Sequence, residues 1–399
     1  MSDSAESPPQ RSFRRKLLQR VALLTVGLFI SFAMLEVIAR LLPEPLGVSC
    51  TSGDNQLVYT DPEIGHRSVP GLDCRINASG LPDYRVQTDE HGFRDELAAG
   101  AQKRIIVLGD SMLYGVHVDQ DDLFTEVLQR SMTDLDVVNT GLSGTGTAQQ
   151  LLLYDNVISA IPHDLVISTF TVHNDGIDNA ERKDPTRARY VVEDGKLALQ
   201  HRPQDAGRTV RELIDSTGIK SPGMVFDLTE ELPGFKQLYE SLGLKVKKTD
   251  TQGASGPPPD PIIRARAHGE LSSVLLSEIA RSARGAGREH LVVLIPSHEP
   301  YWFPERPEVA YFIELANVVR TGLEADGLCV YDMADDLRPY TQDFDQMLTL
   351  PESEIIYIAW DHQPGADDLW NKHWDVDGHR IVAGLIQAFL EDPDSCARL

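Results

Sequence analysis

Positive charge is scarce in this chain of 399 residues. Lysine and arginine number 37 against 61 aspartates and glutamates, a formal net charge of −24. So acidic a surface repels phosphate, and no basic patch interleaved with aromatics offsets it, which argues against nucleic acid as a partner. Cysteine is also sparse, at four residues. No Cys-x-x-Cys or His-x-x-x-His spacing occurs, so no metal and no cofactor are expected. No internal repeat is evident, which removes solenoids and arrays. The run Gly141-Leu142-Ser143-Gly144-Thr145-Gly146-Thr147 lacks both the lysine of a phosphate-binding loop and the G-x-G-x-x-G spacing, which disfavours a nucleotide there.

A hydrophobic content of 41% suffices for a core, and the length allows one large domain or two small ones. Near the start, Arg11, Arg14, Arg15, Lys16 and Arg20 precede the apolar stretch Val21–Leu42. As a helix it would span about 33 Å, close to the thickness of a bilayer core. Glu36 and Arg40 interrupt it at i, i+4, where they can pair or snorkel at the far end. No small-x-small cleavage site stands out before Pro43, and Gly47 spoils Leu46-Gly47-Val48-Ser49-Cys50 as a lipidation motif. Basic flanks stay cytoplasmic. The expectation is a cytoplasmic tail over 1–20, a transmembrane signal-anchor over 21–42, and the remainder outside the cytoplasmic membrane. There disulfides are permitted. Cys50 and Cys74 share a loop-rich stretch and are expected to pair. Cys329 sits in the apolar run Gly327-Leu328-Cys329-Val330-Tyr331 and is expected to be a buried free thiol.

Residues 43–100, rich in Pro, Gly and Asp, read as an extension packed on the main domain, with a strand-like piece at Leu57-Val58-Tyr59. The main domain is expected over 101–391, with a short tail after it. Strands are predicted at Arg104–Leu108, Leu135–Asn139, Leu165–Phe170, Leu291–Ile295 and Cys329–Tyr331. Helices are predicted at Asp121–Met132, Ala148–Ile161, Ile262–Ala286, Val309–Ala325 and Asp377–Phe389. This alternation predicts an α/β fold, a parallel sheet with helices on both faces. Residues 176–261 break the rhythm. They hold a possible hairpin, Tyr190–Leu199, turning at Asp194-Gly195, two short helical runs at Thr209–Ser216 and Phe235–Leu244, and a linker-like Gly/Pro segment. The segment reads as an insertion, either a lid at the active-site rim or a surface elaboration.

The most informative run is Ile105-Ile106-Val107-Leu108-Gly109-Asp110-Ser111. A buried strand delivers a serine to the carboxyl edge of the sheet, where ligands of open α/β sheets bind. Then follow Asn139-Thr140-Gly141-Leu142-Ser143-Gly144, His173-Asn174-Asp175, and His373-Trp374-Asp375-Val376-Asp377-Gly378-His379. In this order the blocks resemble the SGNH family of serine esterases, also called GDSL hydrolases. The stretch Glu90-His91-Gly92-Phe93-Arg94-Asp95 resembles bacterial membrane-associated members. The resemblance covers roughly residues 85–390. It implies a three-layer α/β/α flavodoxin-like fold, with Ser111 as nucleophile and His373 as base. It also implies an oxyanion hole made by Ser111, Gly141 and Asn174. The chemistry suits the residue types. A glycine lets its N–H approach a substrate oxygen, and an asparagine amide is a neutral donor. Donors from three loops converge if the strand order is 2-1-3-4-5. His173 and His379 read as structural.

One departure concerns the acid that orients His373. The family's Asp three residues earlier is Trp370 here, and the Asp-x-His position is Asn371. Asp368 is the first choice, with Asp367 and Asn371 behind it. The function implied is an extracytoplasmic serine esterase or acyltransferase working through an acyl-serine. Its substrate would be an acylated carbohydrate of the cell surface or another small ester. The alternative is a non-catalytic envelope or polysaccharide-binding protein on the same fold.

Overall fold

The computed structural model describes residues 46–51, 57–78, 83–95, 103–181, 187–193, 195–201, 260–302, 304–340 and 373–397, together with residues 20, 25–27, 31 and 34. The chain divides into two units, residues 1–44 with 207–251, and residues 45–206 with 252–399. In the first unit the few described residues are helical, and Val26 and Met34 are exposed. The rest of the expected anchor, 21–42, lies outside the described residues. Among the described residues no helix is long and apolar enough to cross a membrane. The helical runs expected at Thr209–Ser216 and Phe235–Leu244 also lie outside them, as do Asp367, Asp368 and Asn371.

The second unit opens with β1 (Leu46–Cys50), β2 (Val58–Asp61), β3 (Gly65–Ser68), β4 (Asp73–Ala78) and β5 (Tyr84–Gln87). β2 and β3 form a hairpin, and the other three form an antiparallel sheet in the order β1-β4-β5. Cys50 lies directly opposite Cys74 in that register, and the two are disulfide-bonded as expected. Leu72, Ile76, Tyr84 and Val86 pack together with Tyr114, which fastens this extension to the main sheet.

The main layer system follows. Its elements are β6 (Lys103–Leu108), α1 (Ser111–Tyr114), α2 (Phe124–Ser131), β7 (Leu135–Asn139), α3 (Thr147–Asn156), β8 (Leu165–Thr171) and α4 (Asp175–Ala180). After the hairpin β9 (Arg189–Glu193) and β10 (Lys196–His201) come α5 (Pro261–Gly285), β11 (Glu289–Ile295), α6 (Glu299–Trp302), α7 (Val309–Ala325), β12 (Cys329–Asp332), α8 (Ala334–Leu337) and α9 (Val376–Glu391). The parallel sheet runs β12-β11-β8-β6-β7. Numbered within the sheet, that is the 2-1-3-4-5 order.

The two-residue period of a strand explains the layers. Ile105, Val107, Leu165, Ile167, Leu291 and Val293 pack on one face with Phe124 and Leu128 of α2 and Val382 and Ile386 of α9. Ile106, Leu108, Val138 and Val166 point the other way, to Leu151 of α3 and Leu275 and Ile279 of α5. Val292 and Leu294 share that second side with Leu315 and Val319 of α7. Each fully buried Leu, Ile or Val contributes about 1.5–3 kcal/mol, so strands buried on both faces dominate the core. α5 starts where Asp260 accepts hydrogen bonds from the N–H groups of Ile262 and Ile263, with Pro261 in the first turn. The hairpin pairs Leu197 with Val192 and turns at Gly195, whose φ is +73°. Its Tyr190, Leu197 and Leu199 pack on the core, so this part of the insertion is a covering element.

One expectation is corrected. Cys329 is no free thiol but is bonded to Cys396, with 5.3 Å between their Cα atoms. β12 is an edge strand of the sheet, so its start has open space beside it. The short turn Ser395–Ala397 after α9 brings Cys396 to it. An apolar run in the sequence does not reveal that it will stand at an edge.

Arg94 joins the extension to the serine loop. Its guanidinium is buried at 2% exposure. Nη1 donates to the carbonyls of Tyr114 (2.8 Å) and Gly115 (3.0 Å), and Nη2 to those of Arg85 (3.0 Å) and Val118 (3.3 Å). Its neighbour Asp95 accepts the backbone N–H of Asn139 at 2.8 Å and the Gln120 amide at 2.7 Å. The block 90–95 therefore holds the chain that leaves α1 and the end of β7. A lysine in place of Arg94 cannot serve four spread carbonyls with one ammonium. Arg94→Lys is expected to lose about 2–4 kcal/mol of stability, since each buried carbonyl left unpaired costs about 1–3. Urea denaturation of the full chain measures this; an unchanged midpoint would remove Arg94's role as a clamp.

Candidate functional site

β6 ends in a turn that only a small residue can make. A Cβ on Gly109 would lie 2.1 Å from Thr169 Oγ1 and 2.9 Å from Leu113 Cβ. Asp110 follows as the cap of α1, exposed by only 1%. Its carboxylate accepts the Met112 N–H, the Thr171 hydroxyl and the Asn174 amide, each at 3.0 Å. Burial raises the Asp110 pKa, and these three hydrogen bonds pull it back in part. Ser111, partly exposed, occupies the first turn of α1. Its backbone N–H meets no acceptor among the described residues.

Asn174 follows β8. Thr171 donates its N–H to Asp175 Oδ2 at 2.7 Å, and Asn174 donates its N–H to the Thr171 carbonyl at 3.2 Å. The resulting tight turn carries the Asn174 side chain to Asp110. The amide's second contact, Asp178 Oδ2, is longer, at 3.4 Å. Ser111 and Asn174 are thus brought together by one shared carboxylate.

Gly141 does another job than expected. Its N–H donates to Asn139 Oδ1 at 3.0 Å instead of facing a ligand. A Cβ there would lie 2.6 Å from the Tyr114 nitrogen, so this glycine lets the loop after β7 lie against α1. Gly144, in the same loop, has φ +76°, and its N–H has no acceptor among the described residues. Sequence reasoning passed over Gly144, because the two glycines differ only in what the Asn139 side chain does.

His373 is positioned from behind. Trp374 is buried edge-on against Phe124 and His379. Asp375 caps α9 by accepting the Gly378 N–H at 2.8 Å. Burial lowers the His373 pKa to about 4, and the charges of His117 and His173 act in the same direction. The ring of His117, in the turn after α1, lies 6.0 Å from that of His373. Through His117 the ring of His373 neighbours the turn that follows α1. His379 is structural, as expected: wholly buried, it accepts the Phe124 N–H at 3.1 Å. His173 turns instead toward Glu299 at the end of the adjacent strand, 3.2 Å away. The sequence offered no hint of that partnership.

The site offers a hydroxyl at Ser111, two backbone N–H groups with no acceptor among the described residues, and the imidazole of His373. No family model and no curated protein matches the chain. Among solved structures it is similar to a member of the lipolytic protein G-D-S-L family from Veillonella parvula DSM 2008, at 11% identity and a TM-score of 0.38, over 73% of this chain and 100% of that one. It is also similar to a lipase/acylhydrolase from Enterococcus faecalis, at 13% identity and a TM-score of 0.34, over 71% and 93%. A third is an acetylxylan esterase from Geobacillus stearothermophilus, at 12% identity and a TM-score of 0.36, over 72% and 94%. At such distance the likeness does not assign chemistry; the atoms of the site do.

Asp110→Asn replaces one of the acceptor oxygens with a donor that faces either Thr171, Met112 or Asn174. The variant is expected to lose about 2–3 kcal/mol of stability, through unpaired buried groups. Chemical denaturation checks it, and a loss under about 0.5 kcal/mol would show that the three bonds are dispensable.

Proposed function

We propose that the protein is a serine ester hydrolase or acyltransferase that acts on O-acyl esters through an acyl-Ser111 intermediate. The observation that carries this reading is the placement of Ser111. It stands at the end of a doubly buried strand, with Asn174 fixed beside it through Asp110 and the half-buried imidazole of His373 against His117, in the turn that follows α1. In the reaction the Ser111 Oγ attacks the acyl carbon while His373 takes its proton. The carbonyl oxygen gains the negative charge. The N–H groups of Ser111 and Gly144 are the backbone donors available to it. The Asn174 amide keeps one N–H on Asp110 and gives its other, now at 3.4 Å from Asp178, to the oxyanion. His373 then protonates the leaving alcohol. Water or an acceptor hydroxyl resolves the acyl-enzyme in a second round. Asp368 is the carboxylate we assign to orient His373.

For the address, the two disulfides support an oxidising compartment outside the cytoplasm. Exposed Val26 and Met34, within the apolar stretch 21–42, suit a membrane anchor. An anchored enzyme facing outward meets acylated cell-surface carbohydrate as its nearest abundant ester, and that is the substrate class we assign.

A fluorophosphonate probe tests the nucleophile. It is expected to label the full chain at one residue, and Ser111→Ala, still folded, is expected to lose labelling together with about 10⁴-fold or more of its activity on small acyl esters. A folded Ser111→Ala protein with full activity would overturn the mechanism.

The pH dependence follows from the depressed pKa. The neutral imidazole is the working form, and with a pKa of about 4 it persists well below neutrality. In Asp368→Asn, where burial acts without the carboxylate, kcat/KM for a neutral ester is therefore expected to stay level from pH 7 downward and to fall only as pH passes about 4, while the parent, whose carboxylate raises the imidazole, turns at a higher pH. A limb at the same pH in both proteins would remove Asp368 as the partner of His373.

A further inference from the structure

We propose that His173, His298 and Glu299 form a binding site for a divalent transition-metal ion of the zinc class. Their ligand atoms, two imidazole nitrogens and a carboxylate oxygen, lie within 4.8 Å of one another. The three residues come from neighbouring strand ends. Thr171 of β8 pairs with Ile295 of β11, and the Val172 N–H donates to the Ile295 carbonyl at 2.9 Å. Residues 173 and 297–299 therefore leave the sheet side by side.

The spacing fits coordination. His173 Nδ1 stands 3.2 Å from one Glu299 oxygen, and His298 Nδ1 stands 3.5 Å from the other. Ligands at about 2.0–2.1 Å around a tetrahedral ion are separated by about 3.3–3.4 Å. The surroundings match what such ligands need. Ser297 donates its hydroxyl to Glu299, which steadies the carboxylate. Phe312 stacks on His173 with ring centroids 5.7 Å apart, fixing the imidazole plane. His298 and Glu299 are buried, at 5% and 8% exposure, while His173 is partly open.

Two imidazoles and one carboxylate are a donor set for zinc, cobalt, nickel or iron. They do not suit calcium or magnesium, which take oxygen ligands. Three protein ligands leave a coordination position for water or a substrate oxygen. The site is independent of the ester reading, since it shares no residue with it. It meets that site through the backbone step from His173 to Asn174 and through the charge that His173 presents to His373.

The test uses the full chain stripped of metal with a chelator. Titration with Co²⁺, followed by its visible d–d absorption, is expected to show one bound equivalent, displaced by Zn²⁺. His298→Ala and Glu299→Gln are each expected to weaken binding about 10- to 100-fold or more, while Ser111→Ala binds like the parent. Far-UV circular dichroism checks each variant. Should His298→Ala unfold, the isosteric Glu299→Gln decides. No uptake by the parent, or equal uptake by folded Glu299→Gln, overturns the site.

Discussion

The sheet edge that carries Ser111 depends on one carboxylate buried from solvent. Asp110 caps the helix that begins at Ser111 and, with the same two oxygens, holds the loop of the neighbouring strand through Thr171 and Asn174. Burying an anion is costly unless it is hydrogen-bonded, and here three donors offset the cost. The arrangement couples two strand ends that the sequence separates by some sixty residues. A shift of either loop breaks bonds in the other. That rigidity suits a site in which the nucleophile and its oxyanion donors must keep a fixed geometry.

Around this centre the chain uses buried polar groups as braces. Arg94 gathers four carbonyls behind α1, and Asp95 takes the backbone of Asn139. Asn139 in turn accepts the Gly141 N–H and donates to the Leu113 carbonyl at 2.7 Å. The segment before the sheet is thus part of the machinery that shapes the loops. It explains why a block with no reactive side chain stands just upstream of the strand that bears Ser111.

Much of the fold was legible because a strand buried on both faces leaves a plain mark. Ile105–Leu108, Leu135–Asn139 and Leu165–Phe170 are short, β-branched and flanked by turn residues, and all form strands. Val309–Ala325 was read to the residue, and α5 was read as Ile262–Ala286 where the structure has Pro261–Gly285. Four things were not legible. The partner of Cys329 depended on β12 being an edge strand. The choice between Gly141 and Gly144 depended on where the Asn139 amide oxygen points. The group of His173, His298 and Glu299 exists only because β8 and β11 are neighbours. An acid to orient His373 could not be fixed from spacing, since the usual position carries Trp370, and the three candidates lie outside the described residues.

The bond between Cys329 and Cys396 closes a covalent ring that contains His373. Of the residues assigned to the ester reaction, Ser111, Gly144 and Asn174 all come before that ring; the base is carried on the last fifth of the chain, inside it. In the unfolded chain such a ring, with a sequence separation of 67, removes loop entropy worth about 4 kcal/mol. It also changes what a protease can do. A single cut anywhere between 330 and 395 leaves two fragments still joined, with the histidine tethered to the sheet that holds the serine. A nicked molecule in an oxidising envelope therefore stays a single body, whereas in a reducing compartment a cut between 330 and 373 puts the base on a separate fragment from its nucleophile.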